Sequence, residues 1–354
     1  MRRKQFSLLA VLLLLLQTTA VRADNVDDYV KAEMQKQRIP GLSLAVVKEG
    51  KVIKAEGYGL ANVELNVPAR PETVYKIASV SKQFIATGIM LLLQDGRIGI
   101  DDKVGKYLDG TPESWNGVTI RHLLTHTSGI VREGPGFDPF KDQKDIDVIK
   151  SAYPLPLRFP TGEKYEYCNV GYFSLAEIIS RISGKPWSDF MNERVFAPLG
   201  MTATRPTSFS EIVPNRASGY EWRNDKMQNA GEYVALRPSG AFLSTVLDLA
   251  KWDAALYAEA ILKQAAREQM WTPVKLNSGA TYPYGFGWSL EPLGKHRRVD
   301  HGGSLPGFRS HFMRLPDDKL SIIVLANSGS ANPAGIARGV AAIYLPDITA
   351  SVTN

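Results

Sequence analysis

The chain has 354 residues, 44% of them apolar, which is enough for a large core in one or two lobes. Its 42 basic residues exceed the 36 acidic ones, but four (Arg2, Arg3, Lys4 and Arg22) lie in the first 23 residues, and the remaining 38 against 36 leave a nearly neutral protein. With no basic run interleaved with aromatics, no nucleic-acid partner is expected, and the single Cys168 rules out an internal disulfide.

Residues 1–23 carry a positive head, an apolar run from Phe6 to Leu16 and a Val21-x-Ala23 ending, the pattern of a secretory signal cut after Ala23. The run is too short to span a bilayer, and no Cys stands at the cleavage point to take a lipid. A periplasmic or secreted protein of residues 24–354 is expected, with no stable membrane insertion. Helical spacing from Asn25 to Gln37 then gives way to two β-rich runs, Gly41 to Lys48 and Lys51 to Gly57, around a Lys48-Glu49-Gly50 turn.

Ser79-Val80-Ser81-Lys82 opens an apolar helix that stops at Gly96. A Ser and a Lys three apart share one helix face, which makes a nucleophile and a base, although a Ser at a helix start is also a common cap. Thr119 is expected to start a helix ending near Gly129. Residues 131–165 read as loop with one short helix at Ile146 to Ser151, and further helices are expected at 169–184, 187–200 and 242–257. β-rich runs return at 284–292, 296–303, 307–316 and 319–328, before a last helix at 334–344. Strands at both ends with helices between predict an α+β fold. One mostly antiparallel sheet from about 24–75 and 280–345 would be flanked by helices, with a helical lobe at about 76–279.

Two further places carry chemistry. Tyr167-Cys168-Asn169 lies where the long loop meets a helix; a Tyr hydroxyl becomes a usable base beside an ammonium, and Lys82 is a candidate for that ammonium. An interfacial aromatic and a helix cap are the plain readings of Tyr167 and Asn169. In His301-Gly302-Gly303-Ser304, two glycines on a strand admit a ligand close to the backbone, and the next N–H can bind an oxyanion. Gly-Gly is equally an ordinary turn signal, and His301 alone fits a core or surface position.

Taken in order, Ser79-x-x-Lys82, Tyr167-x-Asn169 and His301-Gly302-Gly303 resemble the serine β-lactamase and penicillin-binding protein superfamily. The similarity is to its class C branch, which includes family VIII esterases and D-aminopeptidase-type hydrolases. RHLLTHTSGI, FPTGEKYEYCNVGY, YGFGW and HGGSLPGFRS support it, over roughly residues 25–345. The resemblance implies a β-lactamase/transpeptidase-like fold and an acyl-enzyme on Ser79, with Lys82 and Tyr167 moving protons. The N–H groups of Ser79 and Ser304 would form the oxyanion hole, and Asn169, His301, Gly302 and Gly303 would bind substrate. No cofactor or metal is implied. His301 stands where the family usually has Lys, so a weaker, pH-dependent donor replaces a carboxylate-binding ammonium. Small acyl esters are the expected substrates, with β-lactams and D-amino-acid peptides as alternatives.

Two rivals fare worse. His122 and His126 lack the Glu of a zincin pattern, and Gly302-Gly303-Ser304-Leu305-Pro306 fails the Gly-x-Ser-x-Gly elbow at its last position. A non-catalytic binding protein would not need Ser79, Lys82 and Tyr167 together. Cys168 reads as a structural thiol.

Overall fold

Strands from the two ends of the chain form one antiparallel sheet in the computed structural model, which describes residues 25–351 apart from 209, 234–236 and 241. The expected leader and its cleavage point lie outside the described residues. Helix α1 (25–37) precedes β1 (Gly41–Lys48), β2 (Lys51–Asn62) and β3 (Val67–Pro68). β4 (Val299–Leu305), β5 (Phe308–Leu315) and β6 (Leu320–Ala326) complete the six-stranded sheet in the order β4-β5-β6-β1-β2-β3. The fold is α+β, as the alternation of β-rich and helical segments requires.

The central strands are apolar at nearly every position because both faces of the sheet are covered. Leu42, Leu44 and Val46 of β1 and Ile322 and Val324 of β6 point to one face, against Val26 and Val30 of α1 and Ile336 and Val340 of α5 (Pro333–Tyr344). Ala45, Val47, Ile323 and Leu325 point to the other. There they meet the core that includes α2 (Lys82–Gln94), α3 (Asn169–Ser183) and α4 (Val246–Tyr257). A buried ion pair ties α4 to the sheet: Arg314 Nε and Ser321 Oγ both donate to Asp253 Oδ1 at 2.6 Å, with Arg314 and Asp253 fully buried.

Three expected elements differ. The segment 284–292 is not a strand: Gly287 has φ +77°, and a Cβ on Gly285 would lie 2.0 Å from the Met270 carbonyl oxygen, so the chain turns in close to the helical core instead of running extended. The helix after Thr119 spans only Ile120–Leu124, because His126 takes φ +59°. The segment 242–257 is a short strand, Phe242–Ser244, before α4 begins under the Thr245 cap.

Candidate active site

Ser79 sits on a 3₁₀ turn, Ala78–Ser81, that runs directly into α2. The N–H groups of such a first turn have no intrahelical acceptor, so they face whatever lies in front of the helix. The turn is held from three sides. Ile77 N–H donates to the Phe242 carbonyl at 2.9 Å, Ser81 Oγ to the Ala78 carbonyl at 2.6 Å, and Ser310 Oγ of β5 to the Ile77 carbonyl at 2.6 Å. Ala78 is forced to φ +48°, a conformation costing about 1–3 kcal/mol that persists only where its surroundings over-determine it.

Lys82 is wholly buried, and its Nζ lies 3.3 Å from Ser79 Oγ, 2.9 Å from Asn169 Oδ1 and 2.5 Å from the Ser239 carbonyl. Burial, and then the nearby Arg132 charge, hold its pKa well below that of an ordinary lysine. A neutral amine has two N–H groups and one lone pair. The two carbonyl oxygens consume the N–H groups, leaving the lone pair to accept the Ser79 hydroxyl proton. Asn169 is fixed for this task by Glu133, whose carboxylate accepts from Asn169 Nδ2 at 2.6 Å and so aims the amide oxygen at Lys82.

Tyr167 presents its ring 4.7 Å from Lys82 Nζ and 5.2 Å from the Arg132 guanidinium carbon. The residue is half-buried, but its hydroxyl is buried and has no partner within normal hydrogen-bond geometry among the described residues. Burial raises its pKa, offset in part by the neighbouring Ser79 hydroxyl and by Arg132. Burial thus opposes the charged form of both groups, so an ammonium beside a phenolate, the pairing that would make Tyr167 a base, is disfavoured here.

The third wall is β4. Ser289 N–H and Asp300 N–H exchange hydrogen bonds with each other's carbonyls at 2.8 and 3.0 Å, so the backbone groups of Asp300 point away from β5. Backbone direction alternates along a strand, so Gly302 and Ser304 present theirs to the same free edge, and the Ser304 N–H opens beside Ser79. Gly303 lets the strand approach: a Cβ there would lie 2.3 Å from the Ile77 carbonyl oxygen and 2.9 Å from Ala78 Cβ.

His301 departs from expectation. It is buried, its Nδ1–H donates to the Gly302 carbonyl at 2.7 Å, and its Nε2 accepts from the Tyr284 hydroxyl at 2.9 Å. Burial lowers its pKa to about 4, so near neutral pH it offers a substrate no charge and no free donor. His122 and His126 are each committed to a backbone N–H, of Thr119 at 3.2 Å and of Cys168 at 3.0 Å. Cys168 caps α3: its Sγ accepts from Gly171 N–H and donates to the Val131 carbonyl, and burial pushes the thiol to about 12.

Two cavities meet at Ser79. One, of about 520 Å³, extends over Glu133, Asn169, Glu221, Tyr233 and Arg309; the other, of about 470 Å³, runs along Tyr167 and His301 to Ser304. Sequence reasoning missed Arg132, Glu133, Ser239 and Tyr284. The first two lie just after the THTSGI stretch, one residue beyond its end, whereas Ser239 contributes only a carbonyl, which no side-chain pattern reveals.

Residues 26–344 match the family described as Beta-lactamase. The chain belongs to that family. It is a serine hydrolase of the penicillin-binding-protein-like superfamily. Penicillin-binding protein 4* of Bacillus subtilis (strain 168) is 33% identical over 314 residues, covering 83% of this chain and 69% of that protein. Protein flp of Staphylococcus aureus (strain N315) is 29% identical over 318 residues, 86% of this chain and 63% of that one. The chain thus spans about two thirds of the length of these relatives. Among solved structures, an octameric penicillin-binding protein homologue from Pyrococcus abyssi superposes with a TM-score of 0.81 at 28% identity, over 92% of this chain and 77% of that one. D-amino acid amidase from Ochrobactrum anthropi SV3, complexed with L-phenylalanine amide, gives 0.78 at 25% identity, over 92% of this chain and 99% of that one.

Proposed function

We propose that this chain is an exported hydrolase that forms an acyl-enzyme on Ser79 and cleaves small acyl esters, in the manner of a family VIII esterase with side activity on β-lactams. The observation that carries this reading is the geometry of Lys82 Nζ, whose two N–H groups are taken by carbonyls while its lone pair faces Ser79 Oγ. Lys82 takes the Ser79 proton as Oγ attacks the substrate carbonyl, and the N–H groups of Ser79 and Ser304 hold the oxyanion. Tyr167 protonates the leaving group, and after its departure activates the water that releases the acyl group. The neutral His301 supports an ester preference over β-lactams, because the carboxylate-binding ammonium is missing from β4. The backbone of Gly302 lies on the free edge of β4, open to the bound acyl group, and Gly303 lets that strand approach the Ser79 turn.

A D-amino-acid amide or peptide specificity is the second reading. It is favoured by Glu133 and Glu221 in the larger cavity, where a substrate ammonium would sit, and by the likeness to the amidase. A panel of p-nitrophenyl esters, nitrocefin and D-Ala-D-Ala peptides, compared as kcat/KM for wild type and Tyr167→Phe, tests both. Short esters as the best substrates support the first reading; D-peptides above esters replace it with the second. Export is tested by sequencing the mature protein's N-terminus, expected at Asp24.

A further inference from the structure

Among the described residues, two besides Ser79 line both cavities, Arg132 and Ser304. Ser304 belongs to β4, whereas Arg132 comes from the loop between the Ile120–Leu124 and Asp145–Ser151 helices. It is the one Lys or Arg lining the cavity that runs along Tyr167 and β4. Its side chain is 60% exposed, and its one ionic contact among the described residues is a long one, Nε to Glu133 Oε1 at 3.4 Å. Among the described residues neither Nη atom donates a hydrogen bond, so the flat fork of the guanidinium faces the junction of the cavities with its donors unspent. Its backbone is rigid, since the Arg132 carbonyl accepts from the N–H groups of Asn169 and Val170 at 3.0 and 3.1 Å. A guanidinium with free Nη donors on a fixed backbone matches a carboxylate in two parallel hydrogen bonds, a geometry an ammonium cannot offer.

We propose that Arg132 is the specificity-determining residue for an anionic leaving group. It would pair with a carboxylate carried on the departing half of the substrate, in place of the cation that β4 does not supply at His301. This rests on the acyl-enzyme reading for which half departs. Arg309, the other arginine of the larger cavity, is spent in part on the Gly329 carbonyl at 2.7 Å and lines only that cavity. It serves as the control.

The test compares two phenylacetylglycine aryl esters, one releasing 3-hydroxybenzoate and the other 3-hydroxybenzamide, which differ only in a meta carboxylate against a neutral carboxamide; the variants' change in preference, relative to wild type, cancels the difference in leaving ability. Wild type is expected to prefer the carboxylate ester. Arg132→Gln removes the charge-assisted pairing, which should lower kcat/KM for that ester on the order of tenfold or more, chiefly through KM, and collapse the preference to near one. Arg132→Lys should restore part of it, and Arg309→Gln and His301→Gln should keep it. Binding of 3-hydroxybenzoate against 3-hydroxybenzamide to Ser79→Ala, with and without Arg132→Gln, gives the same comparison without turnover. No wild-type preference in turnover or binding, a preference that survives Arg132→Gln, or an equal fall for both esters through kcat would overturn the proposal; the last would assign Arg132 to Tyr167 instead. If Ser79 is never acylated yet Arg132-dependent carboxylate binding persists, the acyl-enzyme reading fails and the anion site stands.

Discussion

Gly302 and Gly303 are adjacent on β4, yet the structure assigns them different consequences when each becomes alanine. At Gly303 a Cβ would lie 2.2 Å from Ser310 Oγ, 2.3 Å from the Ile77 carbonyl oxygen and 2.9 Å from Ala78 Cβ. The Ile77 carbonyl cannot yield, because it accepts from Ser310 Oγ and adjoins the strained Ala78. Restoring normal spacing requires β4 and the Ser79 turn to separate by roughly 1 Å, and a displacement of that size between reacting groups costs on the order of 100-fold in kcat. Overpacking adds about 1–3 kcal/mol of destabilisation. At Gly302 the nearest atoms to a new Cβ are His311 Nδ1 at 3.4 Å and Ser310 O at 3.8 Å, ordinary van der Waals separations. Stopped-flow and steady-state kcat for p-nitrophenyl acetate, with thermal unfolding run in parallel, should therefore show Gly303→Ala losing about 100-fold and Gly302→Ala losing less than about threefold. Equal losses, or full activity in Gly303→Ala, would refute the claim that the close approach of β4 sets the oxyanion hole.

Asp253→Ala should destabilise the protein by about 3–5 kcal/mol in urea unfolding, since it leaves Arg314 buried without its carboxylate, and Asp253→Leu with Arg314→Met should recover much of the loss. His301 is held at about 4, against about 6.5 in the unfolded chain, so the unfolded state binds its proton first as pH falls. The stability it contributes is complete above pH 6.5 and lost towards pH 4, up to about 3 kcal/mol; unfolding midpoints at pH 7.5, 5.5 and 4.5 should fall more steeply for wild type than for His301→Gln. His126, also held well below its ordinary value by burial, adds a loss of the same sign in both proteins. The buried Cys168 should resist a thiol reagent in the native state and react at once in denaturant, with Cys168→Ser retaining the cap and the activity. Lys82→Met should abolish measurable ester turnover, whereas in wild type kcat/KM should rise with pH through an ionisation far below that of a free lysine, because Lys82 acts as the neutral amine.

Much of the sheet was legible because period-two and all-apolar runs at 41–48 and 319–328 have few other solutions. Ser79 and Lys82 were legible for the same local reason: three residues on a helix fix their relation. What the sequence hid are tertiary facts. His301 reads as a titratable donor until Tyr284, seventeen positions away, and its own neighbour's carbonyl occupy both ring nitrogens. Tyr284 in turn belongs to a segment whose aromatic content mimics a strand, while Gly285 and Gly287 bring it against the Met270 and Lys82 backbones. Arg132 and Glu133 carried no pattern at all, and their importance comes from a loop path that brings them to Asn169 and Tyr167.

The acyl-enzyme reading of the site depends on Ser79 as the nucleophile. Intact-mass and peptide mass spectrometry after exposure to a fluorophosphonate should show one adduct per chain, on the peptide containing Ser79, absent from Ser79→Ala and strongly slowed in Lys82→Met. An adduct on another residue, or none from a folded protein, would contradict it.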